Sequence, residues 1–594
     1  NGKHTNLTAH AGEDRNPVFA PDGQTVYFLS ERDGGTFNVY SFPISSPQSL
    51  KTVTHFKTHP VRFLSMGSNG TLCYTYDGEI YTQKQGDKPQ KVKIDIIRDD
   101  QNTIADLNFS NGATSATVSP DGKQVAFIVR GEVFVTSADY NTTKQITHTP
   151  AREAGLTFSP DNRTLAYASE RNGNWELYMA KIARKEEANF PNATAIEEEV
   201  LLPSDKTERT YPQFSPDGKE LAFIEDRNRL MVLNLETKKV RQVTDGSTWF
   251  STGGGFDYSW SPDGKWFTLE FIGNRHDPYS DIGMVSAQGG KIINLTNSGY
   301  TSGSPRWVLD GNAILFITER YGMRAHASWG SLNDVMLVFM NQDAYDKFRL
   351  SKEDYELQKE LEKEQKNTTE TKKNDKKKGD NKEKSEEKKE EKVKDIVVEL
   401  NNIEDRIVRL TPNSSDLGSA IITKDGETLY YLSAFEGGYD LWKMNLRKKD
   451  TKLLHKMDAG WANMEMDKDG KNLFLLGSNT MQKMGTDSES LKPISYQAHV
   501  KMDLAAERDY MFNHVYKQEQ KRFYNLNMHG IDWDAMTKAY RKFLPHIDNN
   551  YDFAELLSEY LGELNVSHTG GRFRPQLKGD ATATLGLLYD WNHN

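Results

Sequence analysis

Cysteine is nearly missing from this chain: Cys73 stands alone among 594 residues, so no internal disulfide framework is available. Long apolar runs are missing too. No stretch reaches 18 apolar residues, so neither a membrane-spanning helix nor a membrane partner is expected. Positive charge is in short supply. The 75 Lys and Arg are outnumbered by 85 Asp and Glu, and a net charge of -10 argues against a nucleic-acid partner, which demands a basic face. Metal-binding patterns are also lacking. H-E-x-x-H does not occur, one cysteine makes no cluster, and D-K-D-G at Asp467–Gly470 offers only the first part of an EF-hand-like loop. No metal and no other cofactor is therefore expected. A G-x-S-x-G elbow is absent as well, which weighs against a propeller joined to an α/β-hydrolase domain.

Aromatic residues (11%) and 44 glycines are abundant instead, a pairing that suits strands joined by tight turns. The length calls for two to four domains. A marker, S-P-D-G or a close relative, recurs around Asp22, Asn69, Asp121, Asp161, Asp217, Asp263, Asp310, Asp425 and Asp469. Its spacing stays near the roughly 40 to 50 residues of a four-stranded propeller blade, except between Asp310 and Asp425. Each marker has the same surroundings. An aromatic or apolar residue precedes it (for example Phe19, Phe158, Phe214, Trp260, Trp307), and an alternating strand such as Val125–Ile128 or Leu221–Ile224 follows. Pro and Asp suit the first turn positions, and Gly supplies a positive φ. A polar turn, a third strand and a fourth ending in L-T, I-T or V-T complete the unit, as at Ile146-Thr147, Val243-Thr244, Leu295-Thr296 and Leu410-Thr411. Nine units exceed one propeller, so the chain divides at its most irregular early stretch, residues 90–112.

The expected organisation is mainly β, with tandem β-propellers followed by a small α-helical subdomain. Residues 1–105 hold the last two blades of a first propeller, and 106–490 form a complete seven-bladed second one. The long interval is explained by a Lys/Glu-rich insertion, 355–394, too poor in apolar residues to order itself. Asp334–Phe339 and Ile403–Thr411 read as the third and fourth strands that flank it. The chain opens on Asn1 and on what reads as the end of a repeat, so its amino terminus is expected to be missing.

Over 495–575 the period changes to helical. Phe553, Leu556, Leu557, Tyr560, Leu561 and Leu564 form the apolar stripe of an amphipathic helix, with Asp552 placed to cap it. Trp533, Met536, Tyr540 and Phe543 mark another helix, begun by Asp532, and Leu504–Phe523 a third. Past the stripe comes G-E-L-N-V-S-H-T-G-G, which contains Ser567 and His568. Neighbouring side chains point apart, so these two do not pair with each other. If His568 is a general base, its nucleophile comes from elsewhere.

With F-Y-N-L-N-M-H-G-I-D-W (Phe523–Trp533) followed by L-G-E-L-N-V-S-H-T (Leu561–Thr569), the chain resembles tricorn-type serine peptidases. The resemblance covers nearly the whole chain. It implies a peptidase that degrades oligopeptides to short peptides, with His568 as general base, Ser567 as a supporting hydroxyl, and propeller channels that pass substrate and product. It further implies a six-bladed first propeller, a hexameric homo-oligomer and a cytoplasmic location, or a periplasmic one if a signal peptide precedes Asn1. A PDZ-like domain and the subdomain with the nucleophilic serine would follow residues 576–594, so that this chain alone is expected to be inactive. The competing reading is a non-catalytic TolB-like scaffold for protein partners. Only the helical segment separates the two, since propellers imply no particular function.

Overall fold

A computed structural model of the protein describes residues 2, 4–95, 103–249, 254–273, 277–324, 330–361 and 395–575. The local reason for the repeat is visible at Ser119-Pro120-Asp121-Gly122. The Ser119 hydroxyl donates to Asp121 Oδ1 (2.6 Å) and accepts from the Gln124 amide (3.0 Å), while Asp121 Oδ1 also accepts from the Lys123 amide (3.1 Å). Gly122 takes the left-handed φ of 68° that the turn demands. The same hydroxyl-to-carboxylate bond recurs from Ser215 to Asp217, Ser261 to Asp263 and Thr423 to Asp425. Each turn thereby sets the register of the hairpin that follows it.

The L-T endings have a second mechanism. Just after the fourth strand, the threonine hydroxyl accepts from the third strand's backbone and donates to the residue that begins that strand. Thr296 takes the Ile282 amide (3.1 Å) and gives to Asp281 (2.6 Å); Thr411 takes Val335 (3.2 Å) and gives to Asp334 (2.7 Å). Thr147 clasps Val133 and Glu132 in the same way. A buried amide and a buried carboxylate are thus satisfied together.

The chain separates into two compact units. In the unit formed by Ile104–His514, the described residues make seven four-stranded antiparallel sheets, all with strands in sequential order. They begin at Ser115, Glu153, Arg209, Tyr258, Ser302, Asp416 and Ala462. Apolar clusters lie between successive sheets. One joins Ala126 and Val133 to Leu165 and Tyr167, another Ala168 and Leu177 to Leu221 and Phe223, and so on round. The last joins Phe474 and Leu476 of the seventh sheet to Val125 and Phe127 of the first, so the sheets close into a ring. Glu465 adds a polar clasp there, accepting from the Val118 amide (2.9 Å) and the Thr117 hydroxyl (3.1 Å). Ile104–Phe109 pairs antiparallel with Ala498–Asp503 beside this closure.

The other unit comprises Asn1–Thr103 and Val515–Asn594. Two four-stranded sheets begin at Asp14 and Arg62 and share an apolar core of Tyr27, Leu29, Val39, Leu64, Leu72 and Tyr74. The helices from Val515 onward group with these two sheets.

Three details differ from the sequence reading. Residues 498–503 are strand, not helix, because Ala498, Val500 and Met502 alternate as buried positions. Ile403–Arg406 is a 3-10 turn, which leaves Ile407–Arg409 as the fourth strand. Residues 355–361, placed at the start of the insertion, are helical. Tyr355 is buried, with the Arg447 guanidinium 4.0 Å over its ring. Arg447 also donates to the carbonyls of Phe348 and Leu350 at the end of helix α1, Gln342–Arg349. The rest of the insertion, 362–394, and the terminal stretch 576–594 lie outside the described residues.

Candidate active site

Three helices build the surroundings of Ser567 and His568: α2 (Leu504–Arg522), α3 (Trp533–Arg541) and α4 (Asn550–Gly562). Asp532 caps α3 as its sequence position suggests, accepting from the Ala535 amide (2.9 Å). The cap of α4 is Asn549, not Asp552. The Asn549 side chain accepts from the Asp552 amide (2.9 Å), which places Asp552 in the first turn, where its charge suits the helix dipole. Phe553, Leu556, Tyr560 and Leu561 of the stripe are buried. The Tyr560 ring stacks on Trp533 at 4.2 Å. Its hydroxyl donates to Thr537 (2.7 Å), whose own proton goes to the Trp533 carbonyl (2.7 Å). The Trp533 indole N–H reaches the Tyr516 carbonyl (3.1 Å), so α2, α3 and α4 are tied through one aromatic pair.

The two motifs singled out in the sequence meet through His529. Met528, His529 and Gly530 all have left-handed backbones (φ 51°, 57° and 81°). That turn aims His529 Nδ1 at the Leu564 carbonyl, 2.9 Å away. A carbonyl only accepts, so Nδ1 carries the proton, and in the neutral ring Nε2 accepts from the Tyr524 hydroxyl. Leu564 itself is fully buried. Seven residues further on, the chain is fixed again. A Cβ at Gly571 would lie 2.7 Å from the Ala554 carbonyl oxygen and 2.8 Å from Leu557 Cβ, so only glycine permits this approach to α4.

Ser567 and His568 lie on the short bridge between these fixed points, and both are exposed. His568 has a φ of 67°, an uncommon conformation for a non-glycine residue, which costs on the order of 1 kcal/mol. Neither side chain makes a hydrogen bond or ion pair among the described residues, and the two are not brought together. The imidazole is thus held out on a braced loop, with no partner of its own in this set.

Sequence reasoning assigned no role to His529, although its motif was quoted, and gave no signal for Arg62. That guanidinium, from the second sheet of the same unit, bonds Glu559 at 2.9 Å and Glu563 at 3.4 Å on the last turn of α4. The Tyr540 hydroxyl donates to Glu563 as well (2.7 Å); burial and the nearby carboxylate raise that phenol well above its ordinary pKa. A small pocket of about 40 Å³ lies beside these groups, lined by Arg62, Asp77, Tyr540, Phe543, Glu559 and Glu563 among others.

Comparison with known proteins agrees with this architecture. Residues 113–484 match the tricorn protease second beta propeller domain, and 504–562 match the tricorn protease C1 domain. Tricorn protease homolog 1 of Streptomyces coelicolor is 21% identical over 577 residues, covering 92% of this chain and 50% of the relative. The crystal structure of the tricorn protease superposes with a TM-score of 0.67 at 15% identity, covering 94% of this chain and 51% of that one. Tol-Pal system protein TolB of Francisella tularensis subsp. mediasiatica is 25% identical over 215 residues, 34% of this chain and 45% of the relative. The chain therefore spans about half the length of the tricorn proteins it matches. With a matching domain model over more than half of its residues, the chain belongs to the tricorn protease family.

Proposed function

We propose that this chain supplies the general base of a serine-type peptidase that degrades oligopeptides to short peptides. The observation that carries the reading is the bridge between Leu564 and Gly571, which presents His568 outward while its two ends are fixed. In this reading a serine from a segment beyond residues 1–594 attacks the scissile carbonyl. His568 takes the serine proton as the C–O bond forms, then gives it to the amine as the C–N bond breaks; water, deprotonated by the same imidazole, releases the acyl group. Ser567 supports the site through its hydroxyl. The propellers admit extended peptide and release product, the assembly is a homo-oligomer, hexameric in the family pattern, and the compartment is cytoplasmic.

The test uses the complete protein. His568→Ala is expected to lower kcat on a chromogenic peptide by about 10²–10⁴-fold, with unchanged melting, and Ser567→Ala by less. The isolated 594-residue chain is expected to cleave nothing. Full activity of the His568→Ala protein sinks the proposal.

A second reading, a non-catalytic scaffold, is favoured by one observation, the likeness of about a third of the chain to TolB. It predicts partner binding by the seven sheets and no effect of His568→Ala on any activity.

A further inference from the structure

We infer that Arg62 is a positioning residue for the His568 loop; the inference rests on the reading of His568 as the base. Arg62 opens a strand of the second sheet, Arg62–Met66, at a bulge where the register slips between Arg62 and Ser65 and Phe63 turns left-handed (φ 53°). At this break in the ladder its guanidinium bridges two carboxylates one helical turn apart, Glu559 and Glu563. Glu563 is the C-terminal cap of α4. The very next residue, Leu564, is the one whose carbonyl His529 holds, and His568 follows four residues later.

The bridge is partly shielded, with side-chain exposures of 25% for Arg62, 32% for Glu559 and 12% for Glu563, so it is worth more than a fully solvated pair. The Tyr540 hydroxyl, donating to Glu563, fixes that carboxylate in the orientation Arg62 meets. Two further contacts set the same docking. Lys542 Nζ lies 3.0 Å from Asp77, which also faces His59 at 3.4 Å. Phe543 packs so closely over Gly78 that a Cβ there would fall 2.5 Å from its ring. Lys542 and Phe543 act on the end of α3, whereas Arg62, with Tyr540 and His529, acts on the turn that leads into the loop. The chemistry assigned to His568 demands placement within hydrogen-bond reach of a hydroxyl, and a misplacement of about 1 Å costs about 10²-fold. A guanidinium that fixes the root of the loop therefore acts on rate and not on substrate affinity.

Two measurements test this. In the 594-residue chain, Arg62→Ala is expected to speed amide exchange over 563–570 at least tenfold. Exchange in the strands Leu72–Tyr76 and Glu79–Gln83 should not change, and Arg62→Lys should restore part of the protection. Unchanged exchange in the loop, or loss of protection throughout the second sheet, overturns the inference. In the complete protein, Arg62→Ala is expected to lower kcat about tenfold with KM within twofold, and Arg62→Lys less. An unchanged kcat, or a rise in KM alone, also overturns it. If instead His568→Ala leaves the complete protein active while the exchange result holds, the reading of His568 falls and the Arg62 brace stands as a structural contact.

Discussion

Between Ser115 and Pro493 the same few contacts recur at most of the joints. A Ser or Thr hydroxyl turns into an Asp, a Thr closes onto the third strand, and an apolar layer fills the gap to the next sheet. Around His568 no contact is used twice: one indole stacks on one phenol, one imidazole holds one carbonyl, one guanidinium spans two carboxylates. The ring spreads its stability over equivalent interfaces and tolerates the loss of a clasp. The helical unit concentrates its geometry in single residues, so small changes there displace the loop without unfolding the sheets.

The sharpest test of that contrast is at the joint where the ring closes. Phe474 is fully buried between the seventh and first sheets, and Phe474→Ala is expected to cost about 3–5 kcal/mol. Chemical denaturation should show the whole seven-sheet transition shift while exchange around 550–571 stays put.

A second test uses pH. Burial, reinforced by Glu132, carries the Glu153 carboxyl up to about 8 from an ordinary 4.5, outweighing the Ser169 hydroxyl and Arg171. The folded ring therefore holds a proton that the unfolded chain releases. This contribution is fully present below about pH 4.5 and is lost as pH rises to about 8. Glu153→Gln is expected to flatten the fall in ring stability across that window by roughly 2–4 kcal/mol, read from urea unfolding at pH 5 and pH 8. An equal slope in both proteins breaks the assignment.

In the helical unit, Gly571→Ala forces a Cβ against the α4 backbone. It is expected to cost about 1–2 kcal/mol of local stability, seen as faster exchange over 565–571, and to lower the activity of the complete protein while the ring melts as before. The smallest effect belongs to a repeated clasp. Thr296→Val leaves the Ile282 amide without its hydroxyl partner and is expected to cost about 1 kcal/mol. The equivalent change at Thr411 should match it, and a large difference between the two would show that the joints are not equivalent.

This same contrast decides what could be read beforehand. The sheets were legible because turn and clasp residues recur in phase, so each copy corroborates the others. The helices were legible from the stripe Phe553–Leu564. Asp552 reads as a cap in the sequence, yet Asn549, three residues earlier, offers the same kind of side-chain oxygen and takes the role, because two suitable residues in one turn are indistinguishable without φ and ψ. Residues 355–361 read as too polar to order, yet one aromatic, Tyr355, finds Arg447 from a turn ninety-two residues away. Arg62 is the extreme case. Its partners lie 497 and 501 residues downstream, and nothing local distinguishes it from any other arginine before a strand.

The closure at Glu465 has a consequence for how the molecule is made. Its partner Val118 lies 347 residues earlier. At roughly 5–20 residues per second, the first sheet leaves the ribosome about 20–70 s before the seventh can cover Val125 and Phe127. Throughout that interval an apolar face stands open beside a growing stack of sheets, each able to take the place reserved for the last. A face left open that long is a place where a wrong sheet can dock, so slowing translation should raise the yield of misassembled rings.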